Sequence, residues 1–396
     1  MCEFRPVPSE DRHRLAEILR YAFSPQAGPV QESDSGEWPP TLFDQRGLYE
    51  DGQLVSSCKL YYLDAFFRGS VQEIGGLGAV ATPPEKRRRG YVRTLCREAL
   101  ESYRQNDVGV VVLWPFSTEF YEQFGWAVAN TVVQYTLPPE ELPTHESEGE
   151  FVLLDADDWE RLRPVERTYG RGMNLSLRRS AQWWRKRTLT NWTGGTDPYS
   201  YGYERGGDLE GYLVYSVRDD EQLTLVVDDL AYTDEEAYRS LLGFLGTHGA
   251  QITQLQLTRP RDAPFLERVR TPERVESAVK IGPMARLTTV SALEGLSWPA
   301  VNLDCAVSVT DPLLDRNDGV FELSVTAGEA SVRPVADQAA GVDLSVGIGT
   351  LTQLAIGTHD LDTASTVGDL SVHTDSLRND LDSLFETNSV WLREYF

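Results

Sequence analysis

Three arginines, Arg87, Arg88 and Arg89, stand directly before Gly90, and a run with helical spacing opens right after them. Guanidinium groups carry fixed charge in a fork that fits phosphate oxygens, and glycine lets a backbone approach a ligand closely. A helix N-terminus adds unpaired N–H groups and the positive end of the helix dipole. Together these features predict a pyrophosphate cradle. The bare pattern Arg-x-x-Gly is weak on its own. A second copy, Arg167 to Gly170 and Gly172, follows a helix-like run rather than a strand and reads as a decoy. No Gly-x4-Gly-Lys-Ser/Thr sequence occurs, which excludes a nucleotide P-loop.

The elements around that cradle can be read from periodicity. An apolar strand at 71–82 ends at Pro83 and Pro84, and a helix follows from about Gly90 to Tyr103. Val92, Leu95, Cys96, Ala99 and Tyr103 share one face of this helix, so it must pack on a sheet. Strands are expected at 54–62 and at Val108 to Trp114. Before them, Ser9 opens a helix with Leu15, Ile18, Leu19 and Ala22 on one stripe, and residues 31–40 form an acidic loop.

Residues 138–150 are rich in proline and acid and read as a linker. A second region to about 290 holds a helix with Trp183 and Trp184, a hairpin of 209–217 and 222–231, and a helix at 234–248. In the third, Val301, Leu303, Cys305, Val307 and Val309 alternate with smaller or polar residues, a half-buried strand. Asn317 to Gly319 is expected to turn the chain into the next strand, with helices near 348–356 and 375–387. Three domains are expected: 1–140, 151–290 and 297–396.

Composition narrows the function. The chain has 396 residues, 37 Lys and Arg against 61 Asp and Glu, and a net charge of −24. Nucleic acid and anionic membranes need a basic surface, so neither is an expected partner. No long apolar run and no signal-peptide core occur, which predicts a cytoplasmic protein. The four cysteines and five histidines are scattered, and no metal site is expected. Only four basic residues are lysine (59, 86, 186 and 280). Two readings of that bias stand: work in concentrated salt, where self-repulsion is screened, or a coding preference for arginine.

Residues 72–130 resemble the coenzyme-A-binding core of GNAT N-acetyltransferases, and within that superfamily the enhanced intracellular survival (Eis) family. The marks are Val80-Ala-Thr82 before the arginines and Phe120-Tyr-Glu-Gln-Phe-Gly-Trp126 after the third strand. Others are Trp183-Trp-Arg185, the segment from Asp311 through Asn317 to Leu323, and the ending Glu394-Tyr-Phe396. The resemblance implies an α/β (α+β) multidomain fold: tandem GNAT-like mixed-sheet domains, the second degenerate, then a sterol-carrier-like α+β domain. It also implies a homo-oligomer, a hexamer in that family.

By the same resemblance the co-substrate is acetyl-CoA. Val80, Ala81 and Thr82 would pair with its pantetheine arm through their backbone. Arg87, Arg88, Arg89, Gly90, Tyr91, Val92 and Arg93 would surround the pyrophosphate, and Phe116 and Ser117 would flank the thioester. Tyr121 would be the general acid and the α-carboxylate of Phe396 the general base. Thr82 departs from the family's apolar preference, and Trp114 to Phe116 depart as well.

This chemistry is coherent. A phenol near ~10 and a thiol near ~8.5 are matched closely enough for Tyr121 to protonate the leaving sulfur. A backbone N–H near Val80 would hold the oxyanion. An ordinary α-carboxylate near ~3.5 suits an ammonium poorly, so the base needs burial beside Trp391 and Tyr395 or a water relay. The acceptor is expected to be an amine, on a small molecule or a protein lysine, drawn by Glu32, Asp34 and Glu37. The alternative is a non-catalytic lipid carrier or coenzyme-A-binding scaffold.

Overall fold

The computed structural model describes residues 2–30, 42–192, 195–219, 221–335 and 341–396. Glu32, Asp34 and Glu37 lie outside the described residues. The chain forms two compact units. One holds Met1–Ala129, Pro283–Asn388 and Leu392–Phe396, the other Asn130–Gly282 and Ser389–Trp391.

The first unit opens with β1 (Glu3–Pro6), α1 (Arg12–Phe23), β2 (Asp44–Glu50), β3 (Gln53–Phe67) and β4 (Ser70–Ala81). Next come α2 (Tyr91–Gln105), β5 (Val110–Leu113), α3 (Thr118–Glu122) and β6 (Ala127–Val128). α2 begins where the spacing predicts. Leu95, Cys96, Ala99 and Tyr103 are fully buried in one core with Leu60, Leu77 and Val111. Burial pushes the Cys96 thiol up to about 12, in keeping with a small core hydrophobe.

The second unit holds β7 (Thr131–Leu137), β8 (Glu150–Leu153), α4 (Trp159–Gly170) and α5 (Ala181–Trp183). β9 (Tyr199–Arg205), β10 (Asp208–Asp219), β11 (Leu223–Tyr232), α6 (Glu235–Gly246), β12 (Gln254–Pro260) and β13 (Glu276–Ile281) complete it. Its sheet runs β13-β7-β12-β11-β10-β9-β8. Asp234 caps α6 by accepting from the Ala237 N–H at 2.9 Å. The expected decoy arginine, Arg167, lies in the last turn of α4.

The segment 138–150 is not a linker. Leu142 is buried in the core of this unit and Glu141 pairs with Arg274, so two packed side chains override a linker-like composition. The chain passes between the units at 129/130, 282/283, 388/389 and 391/392.

Back in the first unit, β14 (Met284–Leu287) inserts between β5 and β6, giving the order β1-β2-β3-β4-β5-β14-β6. Then follow β15 (Leu303–Thr310), β16 (Gly319–Thr326), β17 (Glu329–Pro334), β18 (Leu344–Gly347), α7 (Ile348–Ile356), α8 (Leu361–Val367), β19 (Ser371–Val372) and α9 (Arg378–Leu384). The third sheet runs β17-β16-β15-β18-β19. Asn317 stands where the chain turns into β16, as expected. It is wholly buried, because its side chain binds Asp311 and the Val290 N–H rather than facing solvent. Among the described residues no helix is long and apolar enough to cross a membrane.

Candidate active site

The site begins with a defect in β4. Ser57 stands opposite Ala81 and Lys59 opposite Gly78, so one residue of β3 faces two of β4, Ala79 and Val80. This is a β-bulge, and Ala79 takes φ 48° to make it. A non-glycine residue in that region is strained, and strain of this kind collects at functional sites. On the other side, β4 pairs with β5 only at Gly75–Val111 and Gly76–Val112. Residues 77–81 therefore have no ladder partner on β5.

The last residues of the chain bridge these two strand ends. The Trp114 indole Nε1 donates to the Glu394 carbonyl at 2.8 Å, and Tyr395 stacks on the same ring at 3.9 Å. Phe396 packs against Tyr61 and lies over β4. A Cβ added at Gly76 would meet the Phe396 ring at 2.9 Å. One added at Gly78 would sit 3.2 Å from the Phe396 carboxyl carbon. These glycines serve close approach rather than unusual φ. Trp114, a departure from the resemblance, here anchors the tail.

Downstream of the bulge, Val80 is half-buried against the core, Ala81 is buried beside Leu15 and Ile18, and Thr82 shares a 2.9 Å hydrogen bond with Ser56. That partner accounts for a hydroxyl where an apolar residue was expected. Arg87 donates to the Thr82 carbonyl at 3.2 Å. Arg88 and Arg89 are exposed; Arg88 takes φ 60° and Gly90 φ 79°. Alternating backbone handedness of this sort turns successive N–H groups toward one concavity. A Cβ at Gly90 would meet nothing, so the approach to this backbone is open. The open turn, the N-terminus of α2 and two unburied guanidinium groups suit a pyrophosphate.

The remaining expected residues divide. Tyr91 is buried and donates to Glu50, and Val92 packs on the core, so their side chains are structural. Arg93 donates to the Pro312 carbonyl and lies over the Phe124 ring. Ser117 caps α3 by accepting from the Phe120 N–H at 3.3 Å. Phe116 is 75% exposed, with its ring edge-on to Tyr121 at 5.6 Å. Tyr121 is buried among Phe116, Phe120 and Trp126. Burial pushes its hydroxyl well above the ordinary phenol range, which keeps it a proton donor.

Ser56, Gly76, Gly78, Trp114 and Arg286 carry no site role in the sequence reading. The signal for two of them was present: three glycines within 75–78 of an apolar strand mark a place where something lies close on the backbone. Among the described residues no cluster of three His, Cys, Asp or Glu side chains could hold a metal.

Residues 3–129 match the profile of an acetyltransferase (GNAT) domain, 175–287 match another, and 289–393 match a sterol carrier protein domain. The chain thus consists of two GNAT acetyltransferase mixed-sheet domains followed by a sterol-carrier-like domain. Among solved structures it is similar to a GCN5-related N-acetyltransferase from Anabaena variabilis, at 19% identity and TM-score 0.84 over all of both chains. A probable N-acyltransferase from Enterococcus faecalis, 22% identical, gives 0.86, again over all of both chains. Eis1 from Mycobacterium abscessus, 22% identical, gives 0.78 over all of both. At such identities the likeness is one of fold. No curated protein sequence matches the chain.

Proposed function

We propose that this protein is an Eis-like N-acetyltransferase that moves the acetyl group of acetyl-CoA directly to an amine. Its acetyltransferase domain would lie within 1–140 and the sterol-carrier-like domain within 297–396; the degenerate GNAT-like domain, 151–290, would be completed by β7 and the 138–150 segment that pack in the same unit. The observation that carries the reading is the junction of a strained bulge at Ala79, a stretch of β4 with no ladder partner on β5, and a docked Phe396.

In this reading the backbone of Val80 to Thr82 pairs with the pantetheine arm, and the turn 87–90 with Arg88 and Arg89 grips the pyrophosphate. Arg93, held by Pro312, supports the start of α2 rather than the phosphate. A bulge N–H at Ala79 or Val80 holds the oxyanion as the amine nitrogen bonds to the acetyl carbon. The C–S bond then breaks, and Tyr121 gives its proton to the sulfur. Site burial weakens Tyr121 as an acid, but it raises the thiol pKa in the same direction, so transfer between them stays matched. The Phe396 carboxylate takes the ammonium proton through water. Holding both reactants in place supplies the rest of the acceleration.

The acceptor is a small-molecule amine or protein lysine, and the protein is a cytoplasmic homo-oligomer by resemblance. The experiment is the paired substitution Arg88→Ala and Arg89→Ala. Removing two charge-assisted contacts at about 1.5 kcal/mol each should weaken acetyl-CoA about a hundredfold. Unchanged affinity would refute the cradle.

A further inference from the structure

We infer that Asp311, Arg286 and Asn317, a buried trio reaching from the sterol-carrier-like region into the first sheet, position Tyr121 through the turn that follows its helix. The inference rests on the reading of Tyr121 as the acid.

Arg286 lies on β14 and Asp311 just after β15; both side chains are wholly buried and pair at 2.5 Å. Asp311 is fully engaged. It accepts from the Leu313 and Leu314 N–H groups at 2.9 and 3.1 Å and from Asn317 Nδ2 at 2.9 Å. Asn317 in turn accepts from the Val290 N–H at 3.2 Å. The Arg286 guanidinium therefore has a fixed orientation, and its Nη1 donates to the carbonyl of Phe124.

Phe124 belongs to the turn after α3. Its N–H donates to the Tyr121 carbonyl at 3.0 Å, and the Trp126 N–H donates to the same oxygen at 3.3 Å. Gly125, at φ 79°, has Arg286 Nη1 where a Cβ would lie, and Ile348 of α7 stands 2.6 Å from that point. Gln353 of α7 donates to the Val128 carbonyl at 2.9 Å. The turn is thus gripped from one side by a guanidinium and from the other by α7.

The same loop reaches the second half of the site. Pro312, next to Asp311, accepts from Arg93, whose guanidinium lies over the Phe124 ring. Leu313 and Leu314 pack in the core that holds Tyr121, Leu95 and Cys96. A buried ion pair is weak evidence for stability, because apolar residues often serve as well. A fixed fork that sets one carbonyl behind the acid is a geometric function that apolar packing does not reproduce.

The test is a kinetic cycle with thiol release as the readout. Asp311→Asn keeps the shape and removes the charge; Asn317→Ala removes a donor to Asp311 and the acceptor of the Val290 N–H but leaves the Arg286–Asp311 pair in place, so it tests the trio should Asp311→Asn not fold. Each is made in the native chain and with Tyr121→Phe. The trio predicts a kcat fall of about 10- to 100-fold for Asp311→Asn, and several-fold for Asn317→Ala, with KM for acetyl-CoA within about threefold. With Tyr121→Phe present, neither should lower kcat further by more than about twofold. Equal losses in both backgrounds, or a lowered Tm with native kcat, would overturn the positioning role. A Tyr121→Phe enzyme with native rate would instead overturn the acid assignment itself, and the inference with it.

Discussion

Replacing Gly78 by alanine isolates the docking of the chain's last residue. The added Cβ would lie 3.2 Å from both the carboxyl carbon and oxygen of Phe396 and 3.0 Å from Tyr61 Cε2. Comfortable contacts between carbon atoms begin near ~3.5 Å. β4 itself is held by pairing with β3, and Tyr61 is buried, so the tail is the part that yields. A retreat of about 0.3–0.5 Å follows. A misplacement of ~1 Å can cost about a hundredfold in rate, so this smaller one should lower kcat about tenfold, or ~1.4 kcal/mol of barrier. Overpacking should also remove about 1 kcal/mol of stability. Gly295→Ala, where an added Cβ meets nothing, is the control. The assay is thiol release from acetyl-CoA at saturating amine, well below Tm, with KM for acetyl-CoA measured in parallel. A Gly78→Ala enzyme with native kcat would refute the claim that Phe396 must sit where it does.

Two further outcomes follow from the same geometry. A single residue appended after Phe396 should lower kcat about a hundredfold or more while acetyl-CoA affinity, measured by titration, stays within about twofold. Because burial raises the Tyr121 pKa from its ordinary 10.0, its acid form persists to higher pH. The kcat profile should therefore rise as the amine loses its proton and show no falling limb below pH about 10; a limb there that disappears in Tyr121→Phe would contradict the burial.

α2 could be read directly, because an apolar stripe, a preceding glycine and a sheet-facing cysteine all point one way. β15 was legible through its alternation. The bulge was not. It arises from the mismatch between β3 and β4, and no local preference of alanine announces φ 48° at Ala79. The 138–150 segment misled because its composition is that of a linker, while two side chains, Glu141 and Leu142, decide its packing. Trp114 departs from the resemblance because it is the receptor of the tail, its indole donating to the Glu394 carbonyl, and nothing in the local sequence links two residues so far apart. Asp311 and Asn317 stood out as a motif; the link from Asp311 to Arg286 crosses 25 residues, a separation no spacing argument reaches.

The most direct test of the whole account is to mix the protein with acetyl-CoA and a panel of primary amines and to measure free thiol and acetylated amine together. The account predicts thiol and N-acetyl product in equal amounts, for at least one amine, at a rate set by protein concentration. No acetyl transfer to any amine, with no acetyl-CoA bound on titration, would contradict it.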